Sequence, residues 1–121
     1  MTQPTITTAT DGAVRYQLNG LFHREDGPAI TYSDGSQEWH RNGQHHREDG
    51  PAIVVPNGSQ MWCINDKRHR EDGPAVIFAD GTQMWCINDK EYTFNNYCKQ
   101  LKLSEEDIVF LKLKYNTCIV S

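Results

Sequence analysis

The heptapeptide His-Arg-Glu-Asp-Gly-Pro-Ala occurs at 23–29, 46–52 and 69–75, and this fixed spacing of 23 residues constrains the fold more than any other feature. Units 17–39, 40–62 and 63–85 align without gaps, and eleven of the 23 positions are identical in all three: an Asn, the heptapeptide, a Gly, a Gln and a Trp. Such a chain stacks copies of one supersecondary unit, because a unit of this size cannot bury its apolar face alone. Degraded copies flank the array: Asp11, Gly12, Tyr16, Asn19 and Gly20 fill the slots of Asp34, Gly35, Trp39, Asn42 and Gly43. At the other end, CINDKEY at 86–92 repeats CINDKRH at 63–69 and then departs. The expected organisation is a single domain over 1–121. It has a degenerate N-terminal repeat over 1–16, three full repeats with a partial fourth over 17–92, and a helical cap over 93–121.

Each unit holds two hairpin signals, Asp34-Gly35, Asn57-Gly58 and Asp80-Gly81 in one set and Asn42-Gly43, Asn65-Asp66 and Asn88-Asp89 in the other. These pairs tolerate the positive φ angles of two-residue turns. Between them lie β-favouring runs such as AITY, AIVV and AVIF. The Asp-Gly-Pro punctuation reads as a bend within one long strand, about 44–56, answered by a short returning strand, about 36–41. This gives a mainly β fold, an antiparallel repeat meander. Two-residue turns oppose Arg41 to Gln44, His40 to His45 and Trp39 to His46, and, at the other turn, Tyr32 to Gln37 and Ile30 to Trp39. One face then carries Ile30, Tyr32, Trp39, His46 and their repeats at Ile53, Val55, Trp62, His69, Val76, Phe78 and Trp85. The other face starts polar and ends apolar at Met61, Cys63, Met84 and Cys86. After residue 92, FNNYCKQLKL and SEEDIVFLKLKY read as two short α-helices. Ser104 with Asp107 is a capping-box-like start, and the expected docking surface is that late apolar face.

The period, and the order of Trp39, the turn residue Gly43 and His46, resemble the MORN repeat family, in which short β-hairpins stack into an elongated twisted sheet. MORN units place glycines after the His, where this chain has Arg-Glu-Asp-Gly-Pro-Ala. That variant looks like repeat proteins encoded by large bacteriophages and giant viruses. The resemblance implies a non-catalytic binding role, of partner proteins or membrane lipid, and for the viral variant a host-directed one in the host cytoplasm.

Composition removes several functions. Sixteen acidic against 12 basic residues give a formal charge of −4, which argues against nucleic-acid binding by bulk electrostatics. No apolar run is long enough to span a membrane, and the first residues do not read as a secretory signal. The four cysteines, Cys63, Cys86, Cys98 and Cys118, are far apart and read as reduced thiols, with no disulfide frame or zinc motif. The His-Arg-Glu-Asp quartet offers acid–base groups, but three identical copies, and no nucleophile beside its own base, point to a structural ladder of ion pairs between strands. No catalytic residue and no cofactor is expected. His40, His45 and His46 cluster at one hairpin, with the Cβ atoms of His40 and His45 roughly 5 Å apart. Without a third ligand and with Arg41 and Arg47 nearby, no metal site is expected there.

The aromatic face needs cover, which favours a homo-oligomer. Trp, Tyr and His beside arginines also suit a nucleotide, through base stacking and a guanidinium on phosphate. The expected function is a non-enzymatic viral binding protein that sequesters a small nucleotide used in host immune signalling. Its ligand-binding residues would be Trp39, His46, Arg47, Trp62, His69 and Arg70. The alternative is a protein-interaction scaffold whose repeat sheet or C-terminal helices bind a host protein. A hydrolase using His46 and Arg47 is a third and weaker reading.

Overall fold

The computed structural model describes residues 4–8 and 10–116. They form a mainly antiparallel β meander closed by two helices at its C-terminal end. Strand β1 (Thr5–Thr8) pairs β2 (Val14–Leu18), which also pairs β3 (Leu21–Phe22). The main sheet continues from β2 through β4 (Ile30–Thr31), β5 (Gln37–Glu38), β8 (Ile53–Val54), β9 (Gln60–Met61) and β12 (Val76–Ile77) to β13 (Gln83–Ile87) and β14 (Lys90–Tyr92). Two small hairpins stand off this path: β6 (His40–Arg41) with β7 (Gln44–His45), and β10 (Cys63–Ile64) with β11 (Lys67–Arg68). Each full unit therefore contributes one hairpin to each of two rows.

The turn chemistry explains the two rows. Both central residues have positive φ in Asn42-Gly43 (52° and 81°), Asn65-Asp66 (49° and 66°) and Asn88-Asp89 (50° and 69°), as two-residue type I′ turns require. Here the expected register holds, with His40 opposite His45 and Arg41 opposite Gln44. The other set differs. Gly35 has φ 95° and donates its N–H to the Tyr32 carbonyl at 3.0 Å, while Tyr32 N–H bonds the Ser36 carbonyl at 2.8 Å. This is a three-residue loop, a type I turn followed by a left-handed glycine. The Asp34 carboxylate fixes it by accepting the Ser36 N–H at 2.8 Å, as Asn57 does for Ser59 and Asp80 for Thr82.

The extra residue moves the register by one, which exchanges the partners of every side chain in that ladder. Ile30 faces Glu38 in place of Trp39, and Gln37 faces Thr31 in place of Tyr32. One row of the sheet thus reads Ile30, Glu38, Ile53, Met61, Val76, Met84. The tryptophans are not in that row. Trp39 lies between β5 and β6, donating its N–H to the Ala52 carbonyl at 2.7 Å and accepting the His46 N–H at 3.0 Å, and so joins the two hairpin rows. The expected long bent strand over 44–56 is likewise two strands, β7 and β8, with the heptapeptide crossing between the rows. Where it crosses there is space for a methyl group only: Ala29, Ala52 and Ala75 are all fully buried.

Helix α1 (Phe94–Gln100) begins at Thr93, whose hydroxyl accepts the Asn96 N–H, and α2 (Glu105–Tyr115) at Ser104, whose hydroxyl accepts the Asp107 N–H. Three acidic residues occupy the first turn of α2, where the helix dipole favours them. The helices do not dock on Met61, Cys63, Met84 and Cys86. They close over Trp85, whose ring meets Phe94, Tyr97 and Tyr115 edge-on at centroid distances of 4.9, 4.9 and 5.7 Å. Leu111 and Cys98 complete this core. No helix among the described residues is long and apolar enough to cross a membrane.

Candidate functional site

The three heptapeptides fold alike, and the His, Arg, Asp, Gly and Ala of each have a partner or a packing constraint. The His ring accepts the backbone N–H of the Asn in the next unit's turn: His23 Nδ1 from Asn42 at 3.0 Å, His46 Nδ1 from Asn65 at 3.1 Å, and His69 Nδ1 from Asn88 at 3.0 Å. Accepting at Nδ1 places the ring proton of His69 on Nε2, which donates to Glu71 at 2.9 Å, while the Nε2 atoms of His23 and His46 stand 3.9 Å from Glu25 and Glu48, and that of His46 is also 3.3 Å from the Arg41 guanidinium. The histidines thus staple one unit to the next.

Each Arg curls back onto the ring eight positions earlier. The Arg24 guanidinium lies 4.1 Å from the Tyr16 ring centroid, Arg47 3.9 Å from that of Trp39, and Arg70 3.8 Å from that of Trp62. Its Nε donates to the Asp two residues on, at 2.9 to 3.0 Å, and a terminal nitrogen donates to the Pro carbonyl four residues on, at 3.1 to 3.3 Å. The glycine is needed because the guanidinium lies against its Cα. A Cβ on Gly50 would come within 2.8 Å of Arg47 Cζ, and one on Gly73 within 2.7 Å of Arg70 Cζ. The arginine pairs are therefore local to each loop, where sequence reasoning placed them between strands. The neighbouring guanidinium holds the Asp26 and Asp49 carboxyls below the ordinary range.

Of the six residues singled out from the sequence, Trp39, His46 and Arg47 line one groove of about 530 Å³. Trp62, His69 and Arg70 line the next, of about 800 Å³, and Arg47 borders both. They make two copies of one arrangement and not a single pocket. The outer walls are acidic: the side chains of Glu48 and Asp49 are 71% and 88% exposed, while that of Arg47 is 25% exposed beneath them. Trp39 and Trp62 are half-buried under their arginines and Trp85 is buried by the cap, so the continuous open aromatic face expected from the register does not form.

A second cluster lies in unit 40–62 and its neighbour. Glu38 Oε1 stands 2.9 Å from both His40 Nε2 and His45 Nε2, and Tyr32 donates its hydroxyl to Glu38 Oε2 at 3.0 Å. Burial raises the Glu38 pKa, but hydrogen bonds from His40, His45 and Tyr32 outweigh it and leave the carboxyl below its ordinary value. Burial and the Glu38 carboxylate both push the Tyr32 hydroxyl up. Sequence reasoning placed Glu38 on one face with His40 and His45, through its i, i+2 spacing from His40, but did not count it as a third ligand. His46 turns away to Asn65. Cys63, Cys86 and Cys98 are buried free thiols, and burial pushes Cys63 up to about 11, so they are unreactive near neutral pH.

No family model, curated protein or solved structure matches the chain.

Proposed function

We propose that the chain is a non-catalytic interaction protein, in which a rigid repeat sheet carries a helix that docks a partner protein. The observation that supports this is the outer side of α2. Ile108, Leu111 and Tyr115 pack inward on the cap, while Val109, Phe110 and Leu113 point outward, 51%, 59% and 79% exposed. A cap needs one apolar side, and three large apolar side chains on the other are the mark of an interface. The occupant is a protein offering an apolar groove or helix face, and the outer side of α2 in a second copy of this chain is one such surface. By its resemblance to phage and giant-virus repeat proteins, the setting is the cytoplasm of a host cell, where the buried free thiols would stay reduced.

The guanidinium groups are what place this reading ahead of nucleotide sequestration. Arg24, Arg47 and Arg70 are committed to ring, carboxylate and carbonyl, and a phosphate would have to displace Asp26, Asp49 or Asp72. The nucleotide reading keeps one observation in its favour, the two grooves that join Trp39 or Trp62 to a His and an Arg.

One experiment separates them. Light scattering and quantitative capture from a host lysate compare the parent with the Phe110→Asp, Leu113→Asp double variant, and calorimetry titrates the parent with cyclic and ADP-ribose-type nucleotides. The docking reading expects a self-association or a stoichiometric partner that the double variant loses at unchanged thermal midpoint. Retention of every partner by the variant, together with nucleotide heats that Arg47→Ala abolishes, would replace it with sequestration.

A further inference from the structure

The Glu38, His40 and His45 cluster is a departure from the repeat. The equivalent slots hold Met61, Cys63 and Arg68 in the next unit and Met84, Cys86 and Glu91 in the one after. Cys63 and Cys86 are buried apolar side chains packed inside their units. In unit 40–62 the same buried slot carries His40, 5% exposed, beside a half-buried carboxylate and a second imidazole. Removing such groups from water is costly unless all of them find partners.

Their own hydrogen bonds achieve this for all but His40 Nδ1. His45 Nδ1 meets Asp66 Oδ1 at 3.2 Å and its Nε2 meets Glu38 Oε1 at 2.9 Å, so both nitrogens face carboxylate oxygens that only accept. His40 Nε2 faces the same Glu38 oxygen at 2.9 Å, and its Nδ1 is buried with no partner. Two imidazole nitrogens thus converge on one carboxylate oxygen. A divalent cation among these three atoms would take up both Nε2 lone pairs and the carboxylate oxygen, with each imidazole keeping its proton on Nδ1, that of His45 directed to Asp66 and that of His40 still unpartnered. One donor atom from each of Glu38, His40 and His45 lies within 4.8 Å of the others. Zinc bonds of about 2.0–2.2 Å place ligand atoms roughly 3.3 Å apart, and the two His–Glu separations of 2.9 Å are close to that.

We propose that Glu38, His40 and His45 form a binding site for a divalent first-row transition ion of the zinc and nickel kind. Two imidazole nitrogens and one carboxylate oxygen are the donors such ions take, and hard calcium or magnesium would not choose them. The supporting shell is already present. Asp66 on His45 Nδ1 and the Tyr32 hydroxyl on Glu38 Oε2 orient two of the three ligands, as carboxylate–histidine pairs do around bound zinc. Asp66 belongs to the next unit's turn, so the ion would tie two repeats together. Three protein ligands leave one position for water or an outside donor.

The test is titration of the full chain, in the Cys118→Ser background, with Zn²⁺ and Ni²⁺ by calorimetry, with thermal midpoints read in parallel. The expected result is one ion per chain, a raised midpoint, and binding at least tenfold weaker in Glu38→Gln and in His45→Gln. If the variants fold poorly, Co²⁺ loading of the unsubstituted site decides, since it should give hyperfine-shifted, exchangeable imidazole N–H signals from His40 and His45. No heat at millimolar Zn²⁺ or Ni²⁺, binding undiminished in both variants, or a Co²⁺ spectrum without those signals overturns the site.

Discussion

Replacing Arg47 by Ala removes the central clamp of the array, and the structure gives the size of the loss. The guanidinium lies 3.9 Å from the Trp39 centroid with the side chain only 25% exposed, and a cation on a ring at that depth contributes about 1 kcal/mol. The substitution also strips the half-buried Pro51 carbonyl of its 3.1 Å donor, which costs about 1 kcal/mol more. Asp49 stands in solvent and is left out of the sum. The total is about 2 kcal/mol, or roughly 6–10 °C in midpoint for a domain of this size. Thermal unfolding followed by near-ultraviolet circular dichroism measures it, with the exposed Lys67→Ala as a control expected within about 0.5 kcal/mol of the parent. Arg47→Lys should recover little, because an ammonium can neither lie flat on the indole nor reach Asp49 and Pro51 as a fork. An Arg47→Ala midpoint equal to that of the control would mean that the stacked guanidinium contributes nothing and that the heptapeptide is held by something else.

Gly73→Ala should destabilise more than Gly50→Ala, since a Cβ at 73 also meets the Tyr115 hydroxyl at 2.7 Å while at 50 it meets the Arg47 guanidinium alone; denaturant midpoints rank them. Tyr97→Phe loses the hydroxyl that donates to the Arg70 carbonyl at 2.6 Å in a buried site, which should cost about 1–2 kcal/mol by urea unfolding. Ser104→Ala removes the α2 cap at 3.1 Å and should cost about 1 kcal/mol, measurable in the same experiment. Asp26 and Asp49 have carboxyls held below the ordinary 3.8 by arginine, so their stabilisation is present above that pH and is lost as pH falls through the depressed values. Urea midpoints measured from pH 5 down to 3 should therefore fall less steeply in Asp26→Asn, Asp49→Asn than in the parent.

What the sequence disclosed follows how local the physics is. The Asn-led turns were legible because Asn42-Gly43 and its repeats carry their φ preference in two letters, and the His40–His45 pairing followed from them. Both helices were legible from the change of period and from Ser104. The Asp34-Gly35 turn was not, because the same letters serve two loop lengths. The carboxylate of Asp34 reaching the Ser36 N–H selects the longer one. That single residue moved Trp39 away from Ile30, and the arginines and the cap cover the aromatic face on which the expectation of an oligomer rested. The stacking of Arg47 on Trp39 was hidden for a different reason. It depends on the heptapeptide curling back over eight residues, which the conjunction of Gly50 and Pro51 permits and no periodicity announces. The cap was expected to cover the late apolar positions, yet it covers Trp85, whose own clamp position holds Thr93 where the earlier units have Arg.

The central claim is that the heptapeptide is occupied by the fold itself, each arginine lying on the ring of the preceding strand. The most direct measurement is the arginine Nε–H region of a ¹⁵N-correlated NMR spectrum at neutral pH. The account predicts three slowly exchanging signals, displaced by ring currents, from Arg24, Arg47 and Arg70, with the Arg47 signal lost in Arg47→Ala and returned to an unshifted position in Trp39→Leu. Three signals at the free-arginine position, exchanging rapidly with water, would contradict it and leave the guanidinium groups available to a ligand.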